Sequence, residues 1–144
     1  MNIKHIIALA LTTIGLTAQA KITVTEPWVR ATVTGQTMGG AFMTLHNDSP
    51  QEARVIAASS TVAQEVQLHI MREENGMMQM SATPFVSIPA HSSFAFKPHS
   101  THIMLMGLQH SLQLGERIPL VLTVAQQGRT KKIRIAAEVR PLGQ

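Results

Sequence analysis

The 144-residue chain has no cysteine and no tyrosine, and its aromatic residues amount to four phenylalanines and one tryptophan. The missing thiols exclude disulfides, thiol nucleophiles, redox dithiols and zinc–thiolate clusters, and also a blue-copper centre, which needs a cysteine thiolate. With few aromatics there is little to stack on nucleobases, and the lysines and arginines are scattered, the densest cluster being residues 129–134. The formal charge of +4 therefore reads as a solvated basic surface, and nucleic acid is not expected as a partner. Long apolar runs are also missing. The best candidate, residues 6–16, is shorter than the roughly 20 residues a bilayer-spanning helix requires, and Thr12, Thr13 and Gly15 interrupt it. Lys4 before it and Ala18-Gln19-Ala20 after it give the pattern of a cleaved secretory signal. The expectation is a signal peptide over 1–20, export to the periplasm without stable membrane insertion, and one domain over 21–144. That length buries a core without help from disulfides or metal.

What the mature segment does contain is short runs of alternating polarity punctuated by Gly, Pro, Asn and Ser. Strands are predicted at 22–24, 28–33, 40–46, 54–58, 66–71 and 77–81, then at 85–88, 93–97, 102–106, 118–125 and 131–139. Pro27 is expected to separate the first two, and residues 59–63 to form a turn of helix or a loop. No long amphipathic helix is legible. Eight to ten short strands in one domain imply an all-β fold, a Greek-key sandwich or small barrel.

Methionine is the anomaly. There are nine, four of them between Met71 and Met80, with Met104 and Met106 further on. Asn75-Gly76 is a strong signal for a two-residue hairpin. Such a turn pairs Glu74 with Met77, Met71 with Met80 and His69 with Ala82, so His69, Met71, Met78 and Met80 share one face. His69 and Met80 become diagonal neighbours about 7–8 Å apart in their backbones. The other face carries Val66, Leu68 and Ile70 and belongs to the core, so the histidine and methionine face is expected to look outward. By the same parity His102, Met104 and Met106 project together, opposite Ile103 and Leu105. Two imidazole–thioether pairs, if the fold joins them, suit copper(I); hard ions prefer oxygen, and zinc has no preference for methionine. Each methionine taken singly is better explained as a core gap-filler; pairing with histidines of the same parity is not. Met71, Met78 and Met106 are read as packing residues, Met38 and Met43 as core or rim, and Trp28 as a core anchor. His46 is read as structural or exposed, and His91, His99 and His110 as solvated turn residues.

The spacing His69-x10-Met80-x21-His102-x-Met104 resembles the metal-binding signature of the periplasmic copper chaperones called PCuAC. Further segments are similar to that family: Trp28-Val29-Arg30-Ala31-Thr32, Gly40-Ala41-Phe42-Met43-Thr44-Leu45-His46-Asn47, Val66-Gln67-Leu68-His69, Asn75-Gly76-Met77-Met78-Gln79-Met80, and His102-Ile103-Met104-Leu105-Met106-Gly107-Leu108. The resemblance implies a cupredoxin-like β-sandwich that holds one copper(I) through His69, Met80, His102 and Met104. It also implies a copper-accepting partner, either a subunit of cytochrome c oxidase with its dinuclear copper centre or a second copper assembly protein. A monomer without catalytic activity is expected. Some relatives add a histidine- and methionine-rich tail, and the ending Arg140-Pro141-Leu142-Gly143-Gln144 is not of that kind.

Three other readings compete. A copper storage or tolerance protein would use the same ligands. A copper enzyme would want an N-terminal histidine or a carboxylate or tyrosine motif, which a chain starting at Lys21 does not offer. A sandwich without metal could use its methionines as an apolar surface for protein partners.

Overall fold

The computed structural model describes residues 21–141 and 143, so the expected signal segment lies outside the described residues. All regular structure among the described residues is β: β1 (Ile22–Arg30), β2 (Met38–Asn47), β3 (Ala53–Ser59), β4 (Ala63–Glu74), β5 (Met77–Ala82), β6 (Val86–Ile88), β7 (Ser92–Phe96), β8 (His102–Leu108), β9 (Arg117–Gln126) and β10 (Arg129–Arg140). Hydrogen bonds join them in the order β5-β4-β8-β2-β1-β10-β9-β3-β6, with β7 branching from β2. The long β2 pairs with β1 along one side. On its other side it pairs first with β8, through residues 38–41, and then with β7, through 43–47. Only β1 and β10 run parallel. The path curls until β3 packs near β4 and β6 near β7, enclosing a single core.

That core follows from simple alternation. Ile118, Leu120, Leu122 and Val124 point inward from β9 and sit beside the inward residues of β10, with Ile135 directly opposite Leu120 and Ala137 opposite Ile118. From the other wall come Leu68, Ile103, Leu105, Ala41 and Leu45. Each buried Leu or Ile contributes about 1.5–3 kcal/mol through removal of apolar surface from water.

Pro27 does not split β1, contrary to the expectation from sequence. The strand runs through it with one extra residue between Thr25 and Trp28, and Glu26 takes a positive φ of 50°. A bulge of this kind accommodates a residue with no N–H to give and changes which alternate residues face inward. Ile22 and Val24 pack on the core before it and Val29 is buried after it. Trp28 and Arg30 are thereby turned to the outer surface. The expectation of Trp28 as a core anchor is corrected: it is half-buried and lies 4.5 Å, centroid to centroid, from the ring of Phe42. The strand also ends at Arg30 rather than residue 33, because the Ala31 and Thr32 amides bond to Arg140 and Leu112 outside the β1–β2 ladder.

At the opposite end of β2, Asn47 is 2% exposed and fully engaged. Its amide nitrogen donates to the carbonyls of Gln51, Ile88 and Pro89, and its oxygen accepts from the Ser49 amide and hydroxyl. One side chain thus ties the end of β2 to the β2–β3 turn and the end of β6. Replacing Asn47 with alanine removes five hydrogen bonds at once, among them the side-chain donor to the buried Ile88 carbonyl, and is expected to cost about 3 kcal/mol. Urea unfolding monitored by circular dichroism checks this, and a loss below about 0.5 kcal/mol, within the ordinary range for surface substitutions, would contradict the clamp.

Candidate metal centre

The β4–β5 hairpin closes at Asn75-Gly76, where both residues have positive φ, 53° and 75°. Its register is the one the turn dictates: Glu74 opposite Met77, Met71 opposite Met80, His69 opposite Ala82. On the other side of β4 lies β8, and here the register brings the two halves of the motif together. His69 is the direct cross-strand partner of His102, and Gln67 that of Met104. The imidazole centroids are 5.7 Å apart. His69 therefore occupies the middle of the group, with His102 beside it and Met80 and Met104 one step off on either flanking strand.

A cavity of about 450 Å³ opens over this face, lined in part by Met71, Met78, Met80, His102 and Met104. Its floor continues onto β2, where Gly40 pairs with Met104. Gly40 leaves room for Phe42: a Cβ at position 40 would lie 2.8 Å from the Phe42 Cζ. The Phe42 ring then stands 6.4 Å from that of His102 and carries the Arg30 guanidinium 5.5 Å above it. Gln36, from the loop between β1 and β2, and Pro98 and His99, from the turn between β7 and β8, raise the walls.

The histidine and methionine face does lie on the side away from the core, as expected, but it is not uniformly open. Leu68, Ile103 and Leu105 do point to the core, as parity requires, yet His69 and His102 are themselves only 8% exposed. Strand alternation assigns a side of the sheet and says nothing about the loops and rings that cover it. Met80 is 45% exposed, so the thioethers are not buried alike. His69 is absent from the cavity wall and sits against His102 behind it.

The hydrogen bonds on the two imidazoles determine which nitrogens hold free lone pairs. His102 Nδ1 lies 2.8 Å from the Ser100 carbonyl, which can only accept, so Nδ1 carries the proton and Nε2 is left as a donor to a metal. His69 Nε2 lies 2.9 Å from the Gln67 side-chain oxygen, which leaves Nδ1 as its lone-pair nitrogen. That Nδ1 is buried with no hydrogen-bond partner. An unpaired buried acceptor beside a second imidazole is the arrangement expected of ligands awaiting an ion, since other rings in the interior are normally satisfied. Burial first, and then the neighbouring His102, pushes the His69 pKa below its ordinary value, so the ring stays neutral. Among the described residues no three His, Asp or Glu side chains converge, which removes the usual hard-metal and zinc arrangements. The donors grouped here are imidazoles and thioethers, a set whose chemistry suits a soft ion.

The remaining assignments divide. Met71 and Met78 line the cavity, and Met78, 59% exposed, is not the packing residue expected; Met38 is a rim residue 41% exposed, whereas Met43 is core at 2%. Met106 pairs with Met38 and Glu65 and does not reach the cavity. His46 is structural, its ring nitrogens 2.8 and 2.6 Å from the hydroxyls of Thr25 and Ser93. His99, read as a solvated turn residue, is exposed but forms part of the cavity wall and holds a positive φ of 60°. Sequence reasoning also missed Gly40, Phe42, Arg30 and Gln67. For Gln67 a signal existed, because residue i−2 on a strand shares the face of His69.

Comparison with known proteins bears on the family and the fold. Residues 22–138 match the family described as LpqE-like. A protein of Leifsonia xyli subsp. xyli (strain CTCB07), named as lipoprotein Lxx21020, is 37% identical over 103 residues, covering 70% of this chain and 60% of that protein. The match thus spans less than two thirds of that relative's length. The apo PCuAC domain from PmoF1 superposes with a TM-score of 0.70 at 16% identity, covering 85% of this chain and 95% of that one. The solution structure of CuI-DR1885 from Deinococcus radiodurans gives a TM-score of 0.65 at 30% identity, covering 85% and 81%. The fold is the cupredoxin-like β-sandwich of those domains, and the chain belongs to the LpqE-like, PCuAC-type family.

Proposed function

We propose that this chain is an exported copper(I) metallochaperone that holds one ion between His69, Met80, His102 and Met104 and passes it to an acceptor protein. The observation that carries the reading is the cross-strand pair of His69 and His102, each with a lone-pair nitrogen left free by a hydrogen bond on the other, beside two thioethers. All four ligands are neutral. They hold copper(I) without a thiolate that could be oxidised, which suits an oxidising compartment. The CuI form of the Deinococcus radiodurans protein supports the choice of metal.

Transfer follows from the unequal burial of the ligands. Met80 stands exposed on β5, the edge strand of the sheet, and a thioether is a weak donor that an incoming ligand can replace. The buried histidine pair would then hold the ion while Met80 and Met104 are exchanged, so the copper is never released to water. Arg30 on the cavity wall adds no donor and opposes a second cation, in keeping with one ion per chain. The acceptor that the family resemblance favours is the dinuclear copper centre of cytochrome c oxidase or one of its assembly proteins.

Titration of residues 21–144 with copper(I) against a chromophoric competitor should show one tight equivalent. A Met80→Ala, Met104→Ala double variant should weaken it by more than about 100-fold, the loss of roughly 3 kcal/mol, and an unchanged affinity would remove these two residues from the site. Gly40→Ala, which drives a Cβ into the Phe42 ring, should weaken binding by about tenfold through displacement of His102. Protons compete for the same nitrogens. Because the His69 pKa is lowered from 6.5, its lone pair stays available as pH falls through the range where ordinary histidines protonate. Copper(I) affinity should therefore be flat above pH 7 and decline only on further acidification, with the His69 ring proton shifts titrating below the ordinary histidine value of 6.5.

A further inference from the structure

The outer face of β4 carries Glu65, Gln67, His69 and Met71 at period two, and three of these form a hydrogen-bonded row. The Gln67 side-chain nitrogen lies 2.7 Å from Glu65 Oε1, and the Gln67 side-chain oxygen lies 2.9 Å from His69 Nε2. The direction of the row is fixed at its first member. An ionised carboxylate only accepts, so the group Gln67 turns toward Glu65 is its NH2. The group left to face His69 is the carbonyl oxygen, which also only accepts. His69 Nε2 must then carry the ring proton, and the lone pair falls on Nδ1, the buried atom without a partner.

We propose that Gln67, oriented by Glu65, is a positioning residue that sets the His69 tautomer and thereby selects Nδ1 as the metal-binding nitrogen. The consequence is an asymmetric pair. His102 is set in the opposite sense by the Ser100 carbonyl and offers Nε2, so the two cross-strand imidazoles leave different ring nitrogens free. Gln67 is also the cross-strand partner of Met104, so it stands beside two residues of the proposed site. The metal-binding consequence rests on the function proposed above, whereas the tautomer is a property of the protein without metal.

The test is long-range 1H–15N correlation of the histidine rings in metal-free protein. The wild type should show His69 as a single Nε2–H tautomer and His102 as a single Nδ1–H tautomer. Gln67→Leu removes the acceptor, and the two His69 nitrogen shifts should leave their limiting values and move toward the average of an exchanging ring. Glu65→Gln keeps the size of residue 65 but lets either end of its amide face Gln67, so it should produce the same change in smaller measure. Gln67→Glu still only accepts and should restore the single tautomer. Copper(I) affinity should fall about tenfold in Gln67→Leu and recover in Gln67→Glu. Limiting His69 shifts in both Gln67→Leu and Glu65→Gln would overturn the proposal, as would an Nδ1–H ring in the wild type. These spectra need no copper, so a wild-type protein that failed to bind the ion would reject the metallochaperone reading and leave the tautomer measurement to decide the role of Gln67.

Discussion

The antiparallel pairing of β4 with β8, which sets His69 directly opposite His102, is the constraint from which the site follows. A slip of one residue in either strand would turn one imidazole into the core and bring out Leu68 or Ile103. That slip is resisted by the apolar residues themselves. Leu68, Ile103 and Leu105 must face the interior, and their burial holds the histidines and methionines on the other side. The proposed metal-binding face is thus kept in register by hydrophobic burial on the opposite face of the same two strands.

Around this pair the molecule adds two kinds of control. The β1 bulge and the glycine at position 40 act on shape: one turns Trp28 and Arg30 outward, and the other makes room for Phe42 beside His102. The hydrogen bonds from Gln67 and Ser100 act on chemistry, by deciding which nitrogen of each ring is free. Burial acts with them, since a desolvated imidazole resists the proton that would block it. The four proposed ligands are neutral and Met80 stands on an exposed edge strand, which suits the proposed hold and release of an ion.

Much of this was legible in the sequence, and the reasons differ from part to part. The β4–β5 register could be counted from Asn75-Gly76 because a two-residue turn admits few alternatives. The inward and outward residues of β8 and β9 followed from period-two alternation. Pairing of β4 with β8 could not be counted, because the strands are separated by three others in sequence and only the family resemblance joined the two halves of the motif. Trp28 was misplaced because one inserted residue reverses strand parity, and a proline signals a disturbance without saying whether the strand stops or bulges. The burial of His69 and His102 was missed because it depends on neighbours brought up by strand pairing and packing, such as each other and the Phe42 ring, which no local pattern specifies.

The central claim is a soft, mixed coordination shell made by two imidazoles and two thioethers. X-ray absorption at the copper edge of the copper(I)-loaded protein counts these neighbours directly. The account expects two nitrogen and two sulfur scatterers around a single copper. A shell of nitrogen and oxygen alone, with no sulfur, would contradict it.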